Sequence, residues 1–348
     1  MRIVSMINTA SRLELAGILL MVLLLTYCQK QDVAPVHPTS TYRVDDQYIR
    51  YGDRSLTLRG VNALQTFGLN DPKLMQEWNI AIVREFIGNV GEQPINGTAV
   101  LGSDSTWYHP LQTIVDQNRA HGYITILCPF GWVHEDGTRT LFTGLNPMDQ
   151  AFYPEYRQKM RDIARHFRGQ PDVWLEVWNE PFHWNNENGY SHQSWLVSMQ
   201  DMVNNLRAVQ GFKNIILVPG NEQGQSADAI LAKGHDLLRQ QDNILFDLHA
   251  YEKWLIERSE QQITRRIMEI HEQGFAVLFG EVGVQNAGGL MPVTPFLQAA
   301  EAADVSVLAW LWNNNSQDPN ALLTDEGLPH DSINNNWGST YRDFLQGQ

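Results

Sequence analysis

Two glutamates follow apolar stretches of the chain, where a charged side chain has no obvious partner. Glu180 stands in WLEVWNEPFHW, after an aromatic-rich run and between Asn179 and Pro181. Glu281 stands in FGEVG, after an apolar run that begins at Phe275. Burying an unpaired carboxylate costs several kcal/mol, so each glutamate is either a surface residue at a turn or part of a site. Two carboxylates that share a cavity can donate and accept protons or attack a substrate directly.

A second group of side chains stands at the ends of other apolar runs. Arg84 lies in IAIVREFI, His249 and Tyr251 close NILFDLHAY, and Trp310 and Trp312 lie in AWLWNNN. A single histidine is usually a satisfied core residue, so only the neighbouring Tyr251 makes His249 a candidate. Arg84 could equally be a structural ion-pair partner. Residues two apart on a strand face the same side, so we expect one tryptophan to form a platform for a sugar-like ring and the other to pack nearby.

Metal or cofactor chemistry is not expected from these residues. His183, His192 and His249 lack a tight ligand spacing such as H-E-x-x-H. Cys128 has no His/Asn arrangement that would make it a nucleophile, and we expect it to be a buried thiol. The Asn- and Asp-rich stretch at residues 313–338 offers oxygen ligands for calcium, but such stretches are usually solvated turns.

The order of apolar and amphipathic segments predicts how the candidate residues are positioned. Helical stretches such as PEYRQKMRDIARHFRG and SWLVSMQDMVNNLRAVQG lie between the apolar runs, with Gly169 and Gly211 placed to end them. Strands that are apolar on both faces and alternate with helices indicate a parallel sheet covered by helices. Eight such units predict a closed (β/α)8 barrel, which typically needs about 250 residues plus insertions. The predicted strands cover residues 56–62, 80–87, 123–130, 173–180, 214–221, 243–251, 275–283 and 305–312.

Two other α/β enzyme classes fit less well. A doubly wound dinucleotide-binding fold would show G-x-G-x-x-G after the first strand, and the sequence has no such motif there. A barrel enzyme acting on phosphorylated metabolites would show a glycine-rich phosphate loop after strands seven and eight. The only candidate, AGGL at residues 287–290, carries no Lys or Arg.

The barrel prediction brings the two glutamates together. Active sites of such barrels lie at the carboxyl ends of the strands. Glu180 would close strand four and Glu281 would close strand seven, so both would point into one cavity from different sides. Paired carboxylates are what cleavage of a glycosidic bond requires, because one protonates the leaving oxygen and the other acts as nucleophile or base.

With these motifs in this order, the chain resembles glycoside hydrolase family 5, a group of retaining (β/α)8 endoglycanases that includes cellulases and mannanases. The resemblance extends from about Leu56 to Trp312. It rests on LRGVN in strand one, Arg84 in strand two, WNEP in strand four, HAY in strand six, a Glu closing strand seven and a Trp in strand eight. NEP alone is a weak motif, but the ordered set is specific.

The resemblance implies the catalytic roles. Glu180 would be the acid/base and Glu281 the nucleophile, while Arg84 and Tyr251 would keep the nucleophile ionised. The activity implied is a retaining endo-glycoside hydrolase for a β-1,4-linked plant-type polysaccharide, either glucan or mannan. AWLWNNN is similar to strand-eight segments of some mannanases, whereas glucan is at least as frequent a substrate in the family.

The resemblance also implies the residues that bind substrate. Asn179 would bind the sugar 2-hydroxyl, and His249 would orient the acid/base or a substrate hydroxyl. Trp310 or Trp312 would lie beneath the sugar at the cleavage point.

The end of strand three departs from the family pattern. Family members often carry a His there, but this chain reads ILCPFGWVHE, so Cys128, Pro129 and Phe130 occupy the position. His134 lies several residues too far along to substitute unless its loop folds back. The hydrogen bond to the sugar before the cut is therefore expected to be missing or replaced.

Composition restricts the partners. The chain has 348 residues, 43% of them hydrophobic, with 25 Lys and Arg against 39 Asp and Glu and a formal net charge of −14. Without a basic block, this charge argues against nucleic acid or an anionic membrane surface as partner. A neutral polysaccharide or oligosaccharide is the expected partner, and we expect a monomer without cofactor.

The N-terminus reads as an export segment. The apolar run LAGILLMVLLLTY at residues 15–27 is shorter than the about 20 residues that span a bilayer and fits a secretory signal peptide. The run stops at Cys28, which resembles a bacterial lipoprotein cleavage site, although Tyr27 is bulkier than that site prefers. A lipidated cell-surface or periplasmic protein, ordinary secretion and an uncleaved anchor are all left open.

The predicted organisation is a signal peptide at residues 1–28, a polar linker at residues 29–40 and one catalytic barrel at residues 41–348. Cys128 is then the one cysteine of the mature chain, so no intrachain disulfide is expected. One alternative function is an exported carbohydrate-binding lipoprotein on an inactive barrel. The presence of both glutamates argues against it, because an inactive barrel would readily lose one of them.

Overall fold

Eight parallel strands close into a barrel in chain order, with the last strand paired to the first. All their residues are buried, as expected for strands covered by helices on one face and packed inside the barrel on the other. This confirms the predicted (β/α)8 fold. The strands are β1 (Arg59–Ala63), β2 (Ile82–Ile87), β3 (Ile124–Pro129), β4 (Val173–Glu176), β5 (Ile216–Pro219), β6 (Ile244–Ala250), β7 (Val277–Val282) and β8 (Ser306–Ala309).

The computed structural model describes residues 41–68, 72–313, 315–332 and 335–347. The chain from Thr41 to Gln348 forms one compact unit. The predicted signal peptide, Cys28 and the linker lie outside the described residues, so those predictions stay predictions. In the described ranges, no helix combines the length and the apolar character that crossing a membrane requires.

An α-helix follows each strand of the barrel. Ser191 and Ser259 cap the fourth and sixth of these helices, each in a reciprocal capping box with the residue three positions on. The third helix ends at Phe167, just before Gly169, and Gly211 adopts a positive φ of 83° in the turn after the fourth. These helices are α1 (Pro72–Glu77), α2 (Leu111–Ala120), α3 (Tyr153–Phe167), α4 (His192–Arg207), α5 (Asp228–Leu238), α6 (Glu260–Glu272), α7 (Thr294–Ala302) and α8 (Trp337–Gln346). A further short helix, Glu252–Leu255, lies between β6 and α6.

The amino ends of the strands are covered by a three-stranded antiparallel sheet made of Tyr42–Asp45, Tyr48–Tyr51 and Arg54–Leu56. Ile49 of this sheet joins an apolar cluster with interior residues of the barrel, and the Tyr42 ring lies 5.8 Å from Trp174. A second, larger apolar cluster contains the residues of the strands and helices that face one another. The barrel interior near the amino ends of the strands is therefore filled with apolar side chains.

Additional short strands lie in the loops that follow the carboxyl ends of the barrel strands. Val100–Leu101 pairs with Trp107–Tyr108, and Gly131–Val133 pairs with Arg139–Leu141. The two-residue strand Glu180–Pro181 pairs in parallel with Thr143–Leu145, so Glu180 lies in a separate strand beyond β4. The predicted strand at residues 173–180 is thus interrupted after Glu176.

Candidate active site

Arg84 is the centre of the polar network inside the barrel. Its guanidinium is fully buried and donates through Nη1 to Glu281 Oε1 at 2.7 Å. The opposite edge forms two bonds to Glu176, from Nε at 2.7 Å and from Nη2 at 2.9 Å. Nη1 and Nη2 also donate at 3.0 Å to the side-chain oxygens of Asn62 and Asn179. The planar fork of arginine suits such divided bonding, and Arg84 thereby ties β1, β2, β4 and β7 together.

Glu281 is bound from two sides. Tyr251 donates its hydroxyl to Oε2 at 2.8 Å, while Arg84 occupies Oε1. Burial raises the pKa of Glu281, and His249 and Arg84 counteract part of that rise because they favour its ionised form. Burial and the nearby Glu281 also raise the pKa of Tyr251 well above its usual range, which keeps the phenol protonated as a donor.

Glu180 contacts His249. Its Oε1 lies 2.9 Å from Nδ1 of the imidazole, and 16% of its side chain is exposed, whereas that of His249 is fully buried. Burial disfavours the imidazolium, but the surrounding carboxylates, Glu281 first, outweigh this effect and raise the pKa of His249 well above its ordinary value. This raised pKa favours the protonated imidazole, which donates from Nδ1 to Glu180.

The two glutamates of the sequence motifs lie close together at the mouth of the barrel. One carboxylate oxygen each of Glu180 and Glu281 and a ring nitrogen of His249 all lie within 4.8 Å of one another. His249 Nδ1 is also 3.6 Å from Glu281 Oε2. The barrel thus brings together side chains from β6, β7 and the strand beyond β4 that are about 100 residues apart at the extremes.

The two tryptophans after β8 are placed differently. Because β8 ends at Ala309, the expectation that both lie on one strand and face the same side is wrong. Trp310 is half-buried, with its ring 5.1 Å from Phe86 of β2 and 6.4 Å from Phe130 after β3. Trp312 is only 2% exposed and packs edge-on against Trp78 in the hydrophobic core. Trp310 is therefore the one with a face available for a ligand.

The end of β3 holds Cys128, as the sequence indicates. The thiol is fully buried and lies 3.6 Å from the side-chain oxygen of Asn179. Burial raises the pKa of Cys128 well above its usual range, so the group stays a thiol rather than a thiolate. His134 bonds instead to Thr140, at 2.8 Å within its own hairpin.

Sequence analysis missed three charged or polar members of the network, Asn62, Glu176 and Asp247. All three are fully buried. Burial raises the pKa of Glu176 to about 8, although Arg84 pulls it downward. A signal existed, because Glu176 and Asp247 are single charges inside apolar runs. Asp247 also stands two residues before His249, on the same face of β6.

The carboxylate clusters do not suit a resident metal ion. Glu176, Asp247 and His249 place ligand atoms within 4.8 Å of one another, as do Glu180, His249 and Glu281. However, the Arg84 guanidinium lies 2.7 Å from both Glu176 and Glu281 and 3.7 Å from Asp247. This positive charge offsets part of the negative charge of the acidic groups and would repel a metal cation.

A (β/α)8 barrel with two neighbouring carboxyl groups, one bonded to His249 and the other to Arg84 and Tyr251, defines a glycoside hydrolase of the barrel type. The chain belongs to the cellulase family, glycosyl hydrolase family 5, whose family model matches residues 70–316. The resemblance noted from the motifs is thereby confirmed. No curated protein matches the sequence significantly.

Solved structures of both mannanases and glucanases share the fold. The catalytic domain of a mannanase from Streptomyces sp. SirexAA-E is 17% identical, with a TM-score of 0.66 over 89% of this chain and 92% of that one. A β-mannanase from Streptomyces thermolilacinus, solved with mannohexaose, is 18% identical, with a TM-score of 0.61 over 81% and 87%. The catalytic domain of an endoglucanase from Thermobifida fusca is 17% identical, with a TM-score of 0.63 over 90% and 99%. At these identities the likeness concerns the fold alone.

Proposed function

We propose that this glycoside hydrolase cleaves internal β-1,4 linkages of a plant-type polysaccharide, glucan or mannan, with retention of anomeric configuration. The observation that carries the proposal is the separation of Glu180 and Glu281, whose nearest ligand oxygens lie within 4.8 Å. Retaining enzymes hold their carboxyl groups roughly 5 to 5.5 Å apart, whereas inverting enzymes leave roughly 6.5 to 9.5 Å for a water molecule.

In the first step, Glu281 attacks the anomeric carbon and forms a glycosyl ester, while Glu180 gives its proton to the leaving oxygen. Arg84 and Tyr251 suit this division of roles, because both donate to Glu281 and favour the ionised form that attacks. Glu180 is the more exposed of the two carboxyl groups, which suits exchange of a proton with the leaving group and water.

In the second step, Glu180 accepts a proton from water, and the water oxygen attacks the anomeric carbon to break the ester bond to Glu281. The imidazolium of His249 donates to Glu180 at 2.9 Å. We assign His249 the task of holding the Glu180 carboxylate toward the anomeric carbon between the two steps.

Two further residues are assigned to substrate. The side-chain oxygen of Asn179 accepts from Arg84 at 3.0 Å, so its amide nitrogen is left to donate to the sugar 2-hydroxyl. The half-buried Trp310 offers an aromatic face for the sugar ring, and its contact with Phe86 braces it. Trp312 then serves packing.

The substrate class is tested with soluble cellulose derivative, mannan, xylan and mixed-linkage glucan, by following reducing ends and product sizes. We expect cleavage of glucan or mannan to a ladder of short products. Support comes from the mannanase and endoglucanase folds among the solved structures. Release of only a monosaccharide or disaccharide from the first minutes would contradict endo action, and no cleavage of any polymer would favour the binding-only alternative.

Retention is tested separately from the substrate. Proton NMR of the first product, recorded before mutarotation, should show the β-anomer. An α-anomer as first product would mean that Glu281 activates water as a base and forms no ester.

We also propose that the enzyme is exported, on the evidence of the apolar run at residues 15–27. Cell fractionation, with radiolabelled palmitate to detect lipidation of Cys28, tests that proposal.

A further inference from the structure

Strand β7 contains one residue more than its neighbours at the point where it reaches the site. Leu248 of β6 is paired with Phe279, but the next residue, His249, is paired with Glu281, so Gly280 has no counterpart. The pairing with β8 shifts at the same place, between Phe279 and Val282. Gly280 is therefore a β-bulge, a feature that commonly redirects a side chain next to an active site.

The bulge decides where Glu281 points. Leu278 belongs to the apolar cluster inside the barrel, and Phe279 belongs to the cluster between strands and helices. Strict alternation would then place residue 280 inside and residue 281 outside. With Gly280 as an extra residue, the alternation is reset and Glu281 points into the cavity, where Arg84 and Tyr251 bind it.

Two buried side chains hold the backbone of Gly280. Its N–H donates to Asp247 Oδ1 at 2.7 Å, and its carbonyl accepts from Asn62 Nδ2 at 2.7 Å. The same Asn62 nitrogen donates to the Ala309 carbonyl at 3.0 Å, and its oxygen accepts from Arg84. We call the bonds from Asp247 and Asn62 to Gly280 the clamp. Its two side chains come from β6 and β1, and Asn62 also bonds the backbone of β8.

Only glycine fits within the clamp. A Cβ atom at position 280 would lie 2.3 Å from Oδ2 and 2.4 Å from Oδ1 of Asp247. Any side chain there would displace the Asp247 carboxylate and with it the bond to the backbone. The hydrogen bond between Asp247 and the backbone of residue 280 therefore requires glycine at that position.

We propose that Asp247 and Asn62 are positioning residues that hold the Gly280 bulge and thereby turn Glu281 into the cavity for attack. The role rests on the proposed retaining mechanism, in which Glu281 forms the covalent ester. Neither residue touches the reacting atoms in that mechanism. Their effect is on the placement of the nucleophile, where a 1 Å error can cost about 100-fold in rate.

Asp247 has a second set of neighbours that a test must separate from the clamp. Its other oxygen, Oδ2, lies 3.7 Å from Arg84 Nε and 3.8 Å from His249 Nε2 and makes no hydrogen bond within the described residues. Loss of the negative charge could therefore act on the network without moving Gly280. Asparagine removes the charge but keeps an oxygen that can accept from Gly280, whereas leucine of similar volume removes both.

The experiment compares Asp247→Asn and Asp247→Leu with wild type, using an aryl 2-deoxy-2-fluoro-β-cellobioside or mannobioside with a good leaving group. Fluorine slows ester hydrolysis more than its formation, so the first-order rate of labelling, followed by intact mass spectrometry, reports attack by Glu281. Peptide mapping then locates the label. We expect Asp247→Asn to label within about tenfold of wild type and Asp247→Leu to label about 100-fold more slowly.

Glu85→Gln and Glu85→Leu are matched controls. Glu85 is likewise a fully buried carboxylate that accepts a backbone N–H, that of Gln65 at 3.2 Å, but its other partner, Asn118, belongs to α2. Both Glu85 variants should label at the wild-type rate even if their melting temperatures fall as much as that of Asp247→Leu. Thermal unfolding of every variant establishes the temperature at which all are folded.

The outcomes separate the two levels of the proposal. If wild type is not labelled on Glu281, the retaining mechanism is wrong and the positioning role is wrong with it. If wild type is labelled but Asp247→Leu labels as fast, only the positioning role is overturned. Equal losses in Asp247→Asn and Asp247→Leu would assign the effect to charge and would likewise overturn the clamp.

Discussion

Arg84 Nη1 lies 2.7 Å from Glu281 Oε1, and the pair is buried inside the barrel. The remaining N–H groups of the Arg84 guanidinium donate to Glu176, Asn62 and Asn179. A buried ion pair is stable only when its other hydrogen-bonding groups are satisfied. The position of the proposed nucleophile is therefore tied to side chains from several strands through one guanidinium.

Arg84→Lys should lower kcat on polymer by at least about 100-fold, the magnitude seen when one preorganised donor is removed from an active site. A lysine ammonium keeps the charge but cannot bond Glu176 and Glu281 together in the fork geometry. Initial rates of reducing-end release measure the effect. Arg119→Lys is the control, because Arg119 forms a partly exposed ion pair with Asp172 on the outside of the barrel. Equal activities of the two variants would contradict the assigned role of Arg84.

The two carboxylates should respond differently to removal. Glu281→Ala should be nearly inactive on every substrate, because the attacking group is gone. Glu180→Ala should still form the ester from an aryl glycoside with a good leaving group and then stall, and added azide should restore turnover as a β-glycosyl azide. Chromatography and mass spectrometry identify that product. A β-glycosyl azide from Glu281→Ala, or an α-glycosyl azide from Glu180→Ala, would reverse the assignments.

Trp310→Ala should strongly reduce kcat/KM on polymer with little change in melting temperature, because it removes a half-buried aromatic face beside the site. Trp312→Ala should instead lower stability, by about 3 to 5 kcal/mol, since it leaves a cavity in the core where Trp312 packs on Trp78. Kinetics and urea unfolding of both variants provide the comparison. If Trp312→Ala were stable but inactive, Trp312 and not Trp310 would be the sugar platform.

The acidic limb of the pH–rate profile should move when Tyr251 is changed. Glu281 must be ionised to attack, so activity falls as the pH drops through its pKa, which burial raises above the usual value. The Tyr251 hydrogen bond lowers that pKa, so Tyr251→Phe should raise it and shift the acidic limb of kcat/KM toward higher pH. An unmoved acidic limb would mean that another group controls it.

Glu85 predicts a pH dependence of stability away from the site. Burial raises its pKa from 4.5 to about 7, despite hydrogen bonds from Asn118 and Gln65. Between these values the folded state binds more protons than the unfolded state, so the stabilisation is complete below about pH 4.5 and is lost as the pH rises through about 7. The shift corresponds to about 3 kcal/mol. Urea unfolding across this range should show a smaller fall for Glu85→Gln than for wild type, and identical slopes would contradict the buried charge effect.

Sequence patterns predicted the barrel, and they named several of the residues that the structure brings together around Arg84. Each strand can be recognised as an apolar run because it is buried on both faces. The carboxyl ends of the strands in such a barrel surround one site. Alternation along the strands also predicts which polar side chains point into the barrel. Ile82, Trp174 and Leu245 belong to the inner apolar cluster, and two residues on from them stand Arg84, Glu176 and Asp247.

The local sequence could not place Glu281 or Glu180. Alternation from Leu278 would turn Glu281 away from the cavity, and β4 ends four residues before Glu180. The bulge at Gly280 exists because Asp247 and Asn62, which are 33 and 218 residues away, bind its backbone. Glu180 is held by pairing with Thr143 and by the 2.9 Å bond to His249. The sequence therefore determined which residues meet at the barrel mouth. Long-range hydrogen bonds, which no local pattern encodes, decided how the two carboxylates face each other.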